Sequence, residues 1–328
     1  MKDENYWNNF VKNDGLKLKN VPENMKTEKV CQTAVWSDSR ALKYVPSKFK
    51  EIFIKEAKEF GLDLKLIPQK LMDDDIIIAS MNLGFYWGDV PESKKTRKVC
   101  IEAIRRDECK LDDVPIELRD YEICFLAVRK RGCSIKDVPK NIQNKELFKI
   151  AVFNDGRAIE FISKKRRTYD LYFSAIQSNA NILNIIPKKY RTEEIYMEYL
   201  KLKGGFSLED IPYKKRTYDI CIYAVKSNGF ALKFVPYSKR DFNICLEAIK
   251  ENKSSIEYVP KKLFNYDFSI LLINIDIELF FYIPRRKLEE KLCCEIVKKD
   301  NSYIEFIPRK HIKIIKERLG ISKKQNVV

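Results

Sequence analysis

Apolar residues recur along this chain in blocks of constant shape. In "TYDICIYAVKSNGFALKFVP", residues 217–236, Ile220 and Ala224 fall four positions apart with Val225 beside them, the spacing of one helix face. A polar Lys-Ser-Asn-Gly break follows, and a shorter apolar run then ends at Val-Pro, which cannot continue a helix. The block predicts a long helix, a stop, a short helical or 3₁₀ segment and a boundary at proline.

The same block repeats. Its boundaries fall at Pro22, Pro46, Pro68, Pro91, Pro115, Pro139, Ser163, Pro187, Pro212, Pro236, Pro260, Pro284 and Pro308, with Ser163 filling the one slot that lacks proline. The spacing is about 24 residues, the signature of a repeat array. Five positions after the boundary stand Thr27, Thr96, Asp120, Asn144, Thr168, Thr192, Thr217, Asp241 and Asn265. Their side chains accept hydrogen bonds from the unpaired amides of a helix start. Glu122, Glu146, Asp170, Asp219 and Asp267 follow two residues later, where the helix dipole favours acids. The twelfth position is Ala at 34, 103, 127, 151, 175, 224 and 248, a size that lets a neighbour approach closely. Gly132, Gly156 and Gly229 are expected to end their helices in the left-handed conformation. Such a unit is too small to bury its own apolar face, so stacking is the available solution. The fold expected is all-α, an α-solenoid of about 13 helix–turn–short-helix repeats in one domain over residues 1–320, with a polar tail at 321–328.

The phrases "YDICIYAVKSNGFALKFVP" and "RDFNICLEAIKENKSSIEYVP" resemble the uncharacterised bacterial and viral repeat family called domain of unknown function 4116, whose units read "VLxAVxxNGxALxxA". The likeness covers nearly the whole chain, is strongest over residues 116–260, and implies a helical repeat fold but no activity.

Cysteine usage adds to the core rather than to chemistry. Cys31, Cys100, Cys124, Cys221, Cys245 and Cys293 all lie nine residues past a boundary proline, and Cys109 and Cys133 lie eighteen past one. A shared phase means equivalent interior places, so buried free thiols are expected. There is no Cys-x-x-Cys pair, and His311 is the single histidine. Neither a metal site nor a cofactor is expected, and no phosphate-cradling glycine motif or nucleophile–base arrangement points to an enzyme. Acids cluster at Asp73–Asp75 and at Asp112–Asp113, and the first run fits a solvated helix start. No apolar run is long enough for a membrane span and the first residues lack a signal-peptide pattern, so a cytoplasmic protein is expected.

Charge changes the picture. Residues 1–163 carry 30 Lys and Arg against 27 Asp and Glu, whereas residues 164–328 carry 33 against 20. The excess is concentrated in the leaders between boundary and helix cap: Lys164, Lys165, Arg166 and Arg167; Lys188, Lys189 and Arg191; Lys214, Lys215 and Arg216; Lys239 and Arg240; Arg285 and Arg286. Cations ahead of a helix start oppose its dipole, so folding alone gives no reason for them. Sharing a phase, they predict a basic edge for RNA, DNA or a ribonucleoprotein, bound through phosphates. Tyr169, Tyr190, Tyr213, Tyr218 and Tyr237 lie beside it and offer rings to unpaired bases. The plain alternatives are solvated turn residues that keep a long array soluble, with tyrosines as core lids, or a site for an acidic protein. Two irregular units supply protein-docking candidates: Phe85, Tyr86 and Trp87, and Phe280 and Phe281. The Lys-, Ile- and Asn-rich composition resembles that of low-GC bacteria and their phages, a setting that fits a scaffold interfering with a host defence system.

Overall fold

The computed structural model describes residues 3–60, 63–69, 71–81 and 85–321; all but residue 321 of the expected polar tail lies outside them. Among the described residues the regular elements are all helical. They form two compact units, residues 1–178 and 179–328. Unit 1 carries α1 Glu4–Lys12, α2 Glu28–Ser37, α3 Lys50–Phe60, α4 Asp74–Ser80, α5 Arg97–Arg106, α6 Tyr121–Lys130, α7 Lys145–Asn154 and α8 Tyr169–Ser178. Unit 2 carries α9 Glu193–Lys203, α10 Tyr218–Ser227, α11 Phe242–Glu251, α12 Tyr266–Ile275, α13 Glu290–Lys299 and α14 Arg309–Leu319. Within each unit the α-helices pack on their neighbours in chain order, and the 3₁₀ segments that follow them pack on one another as a second layer. Each unit is thus a stack of helical repeats, the solenoid architecture expected.

The helix starts follow the cap column. Thr27, Thr96, Asp120, Asn144, Thr168, Thr217, Asp241 and Asn265 each accept from the amide three residues on, as in Ile244 N–H to Asp241 at 2.9 Å. Thr192 occupies the position without accepting that bond. Asp73, the first acid of the Asp73–Asp75 run, is likewise a cap, accepting from Ile76 N–H at 3.1 Å. Asp74 accepts from the Thr96 hydroxyl and Asp75 pairs with Lys98, both at 2.9 Å.

The helix ends differ from expectation. Gly132, Gly156 and Gly229 are not left-handed; among the described glycines only Gly204 and Gly320 have positive φ. The stop is made one residue earlier by an extended residue, Arg131, Asp155 or Asn228. Asn228, at φ −157° and ψ 109°, donates its amide to Ala224 O and accepts from Phe230 N–H at 3.0 Å, opening the 3₁₀ segment Gly229–Phe234. Asp14, Asp38, Asp63, Asp155, Asn179, Asn252, Asp276 and Asp300 likewise accept from the amide two residues on in their repeats. The glycine serves packing instead. A Cβ on Gly15, Gly132, Gly205 or Gly229 would lie 2.0, 2.1, 1.9 or 2.3 Å from the carbonyl oxygen of Ala34, Ala151, Ala224 or Ala248, nineteen residues on in the next repeat. Glycine and alanine therefore form one contact, backbone against backbone. Where the nineteenth residue is Leu272 or Ile296, the glycine is replaced by Lys253 or Ile277.

The boundary follows from the Val-Pro or Ile-Pro pair. A residue before proline is held extended, and Val21, Val114, Ile186, Ile211, Val235 and Ile283 are all buried there. Proline then opens a single 3₁₀ turn, its carbonyl accepting from the third residue on, as in Lys215 N–H to Pro212 O at 2.7 Å. Ser163 makes the same turn with Arg166 N–H at 2.8 Å, which is why it substitutes for proline. The inserted residue of "KGGF" is absorbed by Gly204 at φ 83°.

The cysteines lie in the interior as free thiols, all buried except the half-buried Cys133. Burial pushes the Cys221 thiol up to about 11 and that of Cys245 up to about 12.

Placing a methyl group at Gly229 should overpack the contact with Ala248 O, at about 1–3 kcal/mol. Gly229→Ala is expected to lower the thermal midpoint by about 3–10 °C; an unchanged midpoint contradicts the contact. The raised thiols carry a second prediction. Below the ordinary value of 9.0 they are neutral folded or unfolded, but above it the unfolded chain ionises first. Stability is therefore lost as pH rises from about 9 through 11–12. Replacing Cys221 and Cys245 by Ala should flatten that alkaline loss in urea midpoints measured across the range.

Candidate anionic-partner interface

Four residues after the boundary proline the chain leaves the 3₁₀ turn and approaches the helix cap. In five repeats this position is arginine, and its guanidinium turns back onto backbone. Arg216 donates from Nε to Ile211 O at 2.8 Å, from Nη2 to Glu209 O at 3.1 Å and from Nη1 to Phe234 O at 2.5 Å. Arg240 repeats the pattern on Val235, Lys233 and Tyr258, at 3.0, 3.0 and 2.8 Å. Arg119 repeats it on Val114, Asp112 and Asp137. Arg167 reaches Ile162 O and Glu160 O, and Arg191 reaches Ile186 O and Asn184 O. The end of a 3₁₀ segment leaves carbonyls without amide partners, and a planar fork of donors satisfies several at once. Nε and Nη2 thus reach the end of the preceding repeat, and through Nη1 Arg119, Arg216 and Arg240 tie it to the end of their own.

The other occupants of the column confirm its interior character. Met72, Phe264 and Leu288 are buried there, Gln143 donates to Val138 O at 3.0 Å, and Lys26 and Lys95 pair with Glu23 and Glu92 of their own leaders. Arg167, Arg191, Arg216 and Arg240, expected to face an anionic partner, are thus packing residues whose donors are committed to carbonyls.

The other leader cations are placed differently. Lys164, Lys165 and Arg166 in unit 1, and Lys188, Lys189, Lys214, Lys215, Arg285 and Arg286 in unit 2, are exposed, and Lys239 is half-exposed. None of them has a carboxylate within ion-pair distance among the described residues; the nearby pairs involve Lys201, Lys250 and Lys253 instead. Aromatic rings accompany them. Arg166 Cζ lies 5.8 Å from the Phe148 ring centre and Lys189 Nζ 4.7 Å from that of Tyr190. Tyr213 and Tyr237 are 60% and 58% exposed. Tyr169 is half-buried against Phe173 as a lid, while Tyr218 is partly exposed at 38%. In unit 1, Lys165 and Arg166 meet Lys145 and Lys149 of α7 around an open groove of about 640 Å³, also lined by Phe148 and Asp170. Lys145 and Lys149 were not singled out from the sequence, although their spacing of four puts them on one helix face.

The docking candidates separate into core and surface. Trp87 is buried, its Nε1 donating to Asp113 O at 3.3 Å beneath Lys95, and Phe280 is 3% exposed; neither is available to a partner. Phe85 is half-buried, Tyr86 is 68% exposed and Phe281 57% exposed. Phe281 makes ring contacts with Phe280, Tyr303 and Phe306. Among the described residues no group of three His, Cys, Asp or Glu side chains is arranged to hold a metal, and no helix is long and apolar enough to cross a membrane.

This division of the leader is open to test. Removing a guanidinium that satisfies three carbonyls is expected to cost on the order of 2–3 kcal/mol. Arg216→Ala should then lower the thermal midpoint by about 5–10 °C, while Lys215→Ala, one residue earlier, should leave it within about 1 °C. Equal effects from the two would contradict the division.

No curated protein and no solved structure matches the chain. Two segments, residues 96–143 and 217–264, match a family model. Each begins on a threonine helix cap, Thr96 or Thr217, and closes four residues past a boundary, at the position where arginine clamps carbonyls, Gln143 or Phe264, so each spans two repeats in the same phase. In keeping with the resemblance of its repeat phrases, the model that these two segments match is that of the Domain of unknown function (DUF4116).

Proposed function

We propose that the protein is a non-enzymatic cytoplasmic scaffold whose exposed leader cations bind the phosphate backbone of nucleic acid, alone or within a ribonucleoprotein. One observation carries the reading. In unit 2, Lys188 and Lys189, Lys214 and Lys215, and Arg285 and Arg286 recur at one phase of the repeat, exposed and without carboxylate partners among the described residues. The leaders with Glu23 and Glu92 show the contrasting design, supplying their own counter-charge to Lys26 and Lys95. Unpaired cations beside helix N-termini disfavour the fold slightly, and an anionic ligand removes that cost. Neighbouring repeats step by roughly 8–10 Å, so such a ligand must itself be extended and repetitively charged. Releasing its counterions supplies affinity without reading sequence.

A second reading, a scaffold for an acidic or hydrophobic protein surface, is favoured by Phe281, Tyr282 and Phe306, which are each about half exposed.

The test is a salt titration of binding to RNA and to DNA. Affinity should fall linearly with salt on a log–log plot, and Lys188→Glu with Lys215→Glu should weaken every sequence alike and reduce the slope. No binding at about 50 mM salt contradicts the nucleic-acid reading. A protein ligand lost on Phe281→Ala, with little salt dependence, would favour the second reading.

A further inference from the structure

Two leaders of unit 2 begin with a tyrosine where Lys188, Lys261 and Arg285 stand in the others. Tyr213 and Tyr237 occupy the same phase in consecutive repeats, each more than half exposed. Behind each ring is the clamp arginine of its own leader: Arg216 Cζ lies 5.8 Å from the Tyr213 ring centre, and Arg240 Cζ 5.9 Å from that of Tyr237. These guanidinium groups are immobilised by three carbonyls each. The rings are therefore backed by fixed cations, which lowers the entropy lost when something stacks on them. Lys214 and Lys215 follow Tyr213 directly, and Lys239 follows Tyr237 by two residues, so every ring has an uncommitted ammonium at hand for a phosphate.

We infer that Tyr213 and Tyr237 form a stacking platform that makes the basic edge selective for single-stranded nucleic acid; this rests on the nucleic-acid reading of that edge. A duplex presents phosphates but keeps its base faces stacked, whereas a single strand offers both. The step of roughly 8–10 Å between repeats corresponds to about two to three nucleotides at 3.4 Å each. The two rings therefore take bases separated by one or two others.

The experiment compares four probes of equal length at about 50 mM salt: an oligothymidylate, an oligouridylate, an oligothymidylate backbone with abasic sites, and a duplex. The wild-type chain should bind both single strands more tightly than the abasic strand or the duplex. Tyr213→Ala and Tyr237→Ala should each weaken single-strand binding by about tenfold, leave abasic and duplex binding unchanged, and leave the thermal midpoint in place because the rings are exposed. Tyr→Phe at either position should restore affinity, since the ring face makes the contact. Equal losses on the two single strands support a base contact indifferent to the sugar. If the alanine variants bind like wild type while Lys215→Glu still weakens every probe, the platform is overturned and the basic edge stands. If wild type binds none of the four, the basic edge falls and the platform with it.

Discussion

Every repeat must return from the end of one helix to the start of the next in little more than a dozen residues, through 3₁₀ turns whose last carbonyls lack partners. That constraint governs the boundary. The guanidinium of Arg119, Arg216 or Arg240 closes it in one group, taking two carbonyls of the preceding repeat and one of its own. Because the leader is so fixed, the three residues on its 3₁₀ turn are carried on a rigid loop. On the other side of the unit the Gly–Ala contact does comparable work, bringing the extended helix stop against the backbone of the following helix. Both contacts end on backbone carbonyls, and the second uses no side chain larger than a methyl group. The repeat is held by backbone complementarity as much as by its apolar core.

This organisation separates two roles that share one composition. The arginine next to the helix cap is structural, and the lysines before it have no carboxylate partner among the described residues. The same leader therefore supports the fold at its last residue and offers charge at its first three. Tyr213 and Tyr237 connect the two roles, since each ring rests on the clamp and opens to the side where the lysines stand.

Much of the fold was legible because its signals are local. Thr217, Asp241 and Asn265 bond amides three residues away, and Cys221 and Ala224 mark an interior face by phase alone. What was not legible depends on contacts between repeats. Gly229 reads as a left-handed stop because "NG" commonly is one, yet its role is set by Ala248 nineteen residues away. Arg216 could not be told from Lys215 by charge, although the replacement of the arginine by Met72, Phe264 and Leu288 elsewhere carried the clue. Phe280 and Phe281 look equivalent in sequence, but adjacent residues on a 3₁₀ turn point about a third of a turn apart. One is therefore buried and the other exposed.

The claim that the leader divides into a structural arginine and binding lysines is tested most directly in a single repeat. Arg191→Met, copying the residue found at Met72, should be compared with the double replacement of Lys188 and Lys189 by Ala, reading nucleic-acid affinity and thermal midpoint side by side. The account predicts that Arg191→Met lowers the midpoint and keeps the affinity, while the lysine replacements weaken binding and keep the midpoint. Loss of affinity with Arg191→Met equal to that of the lysine pair would contradict it.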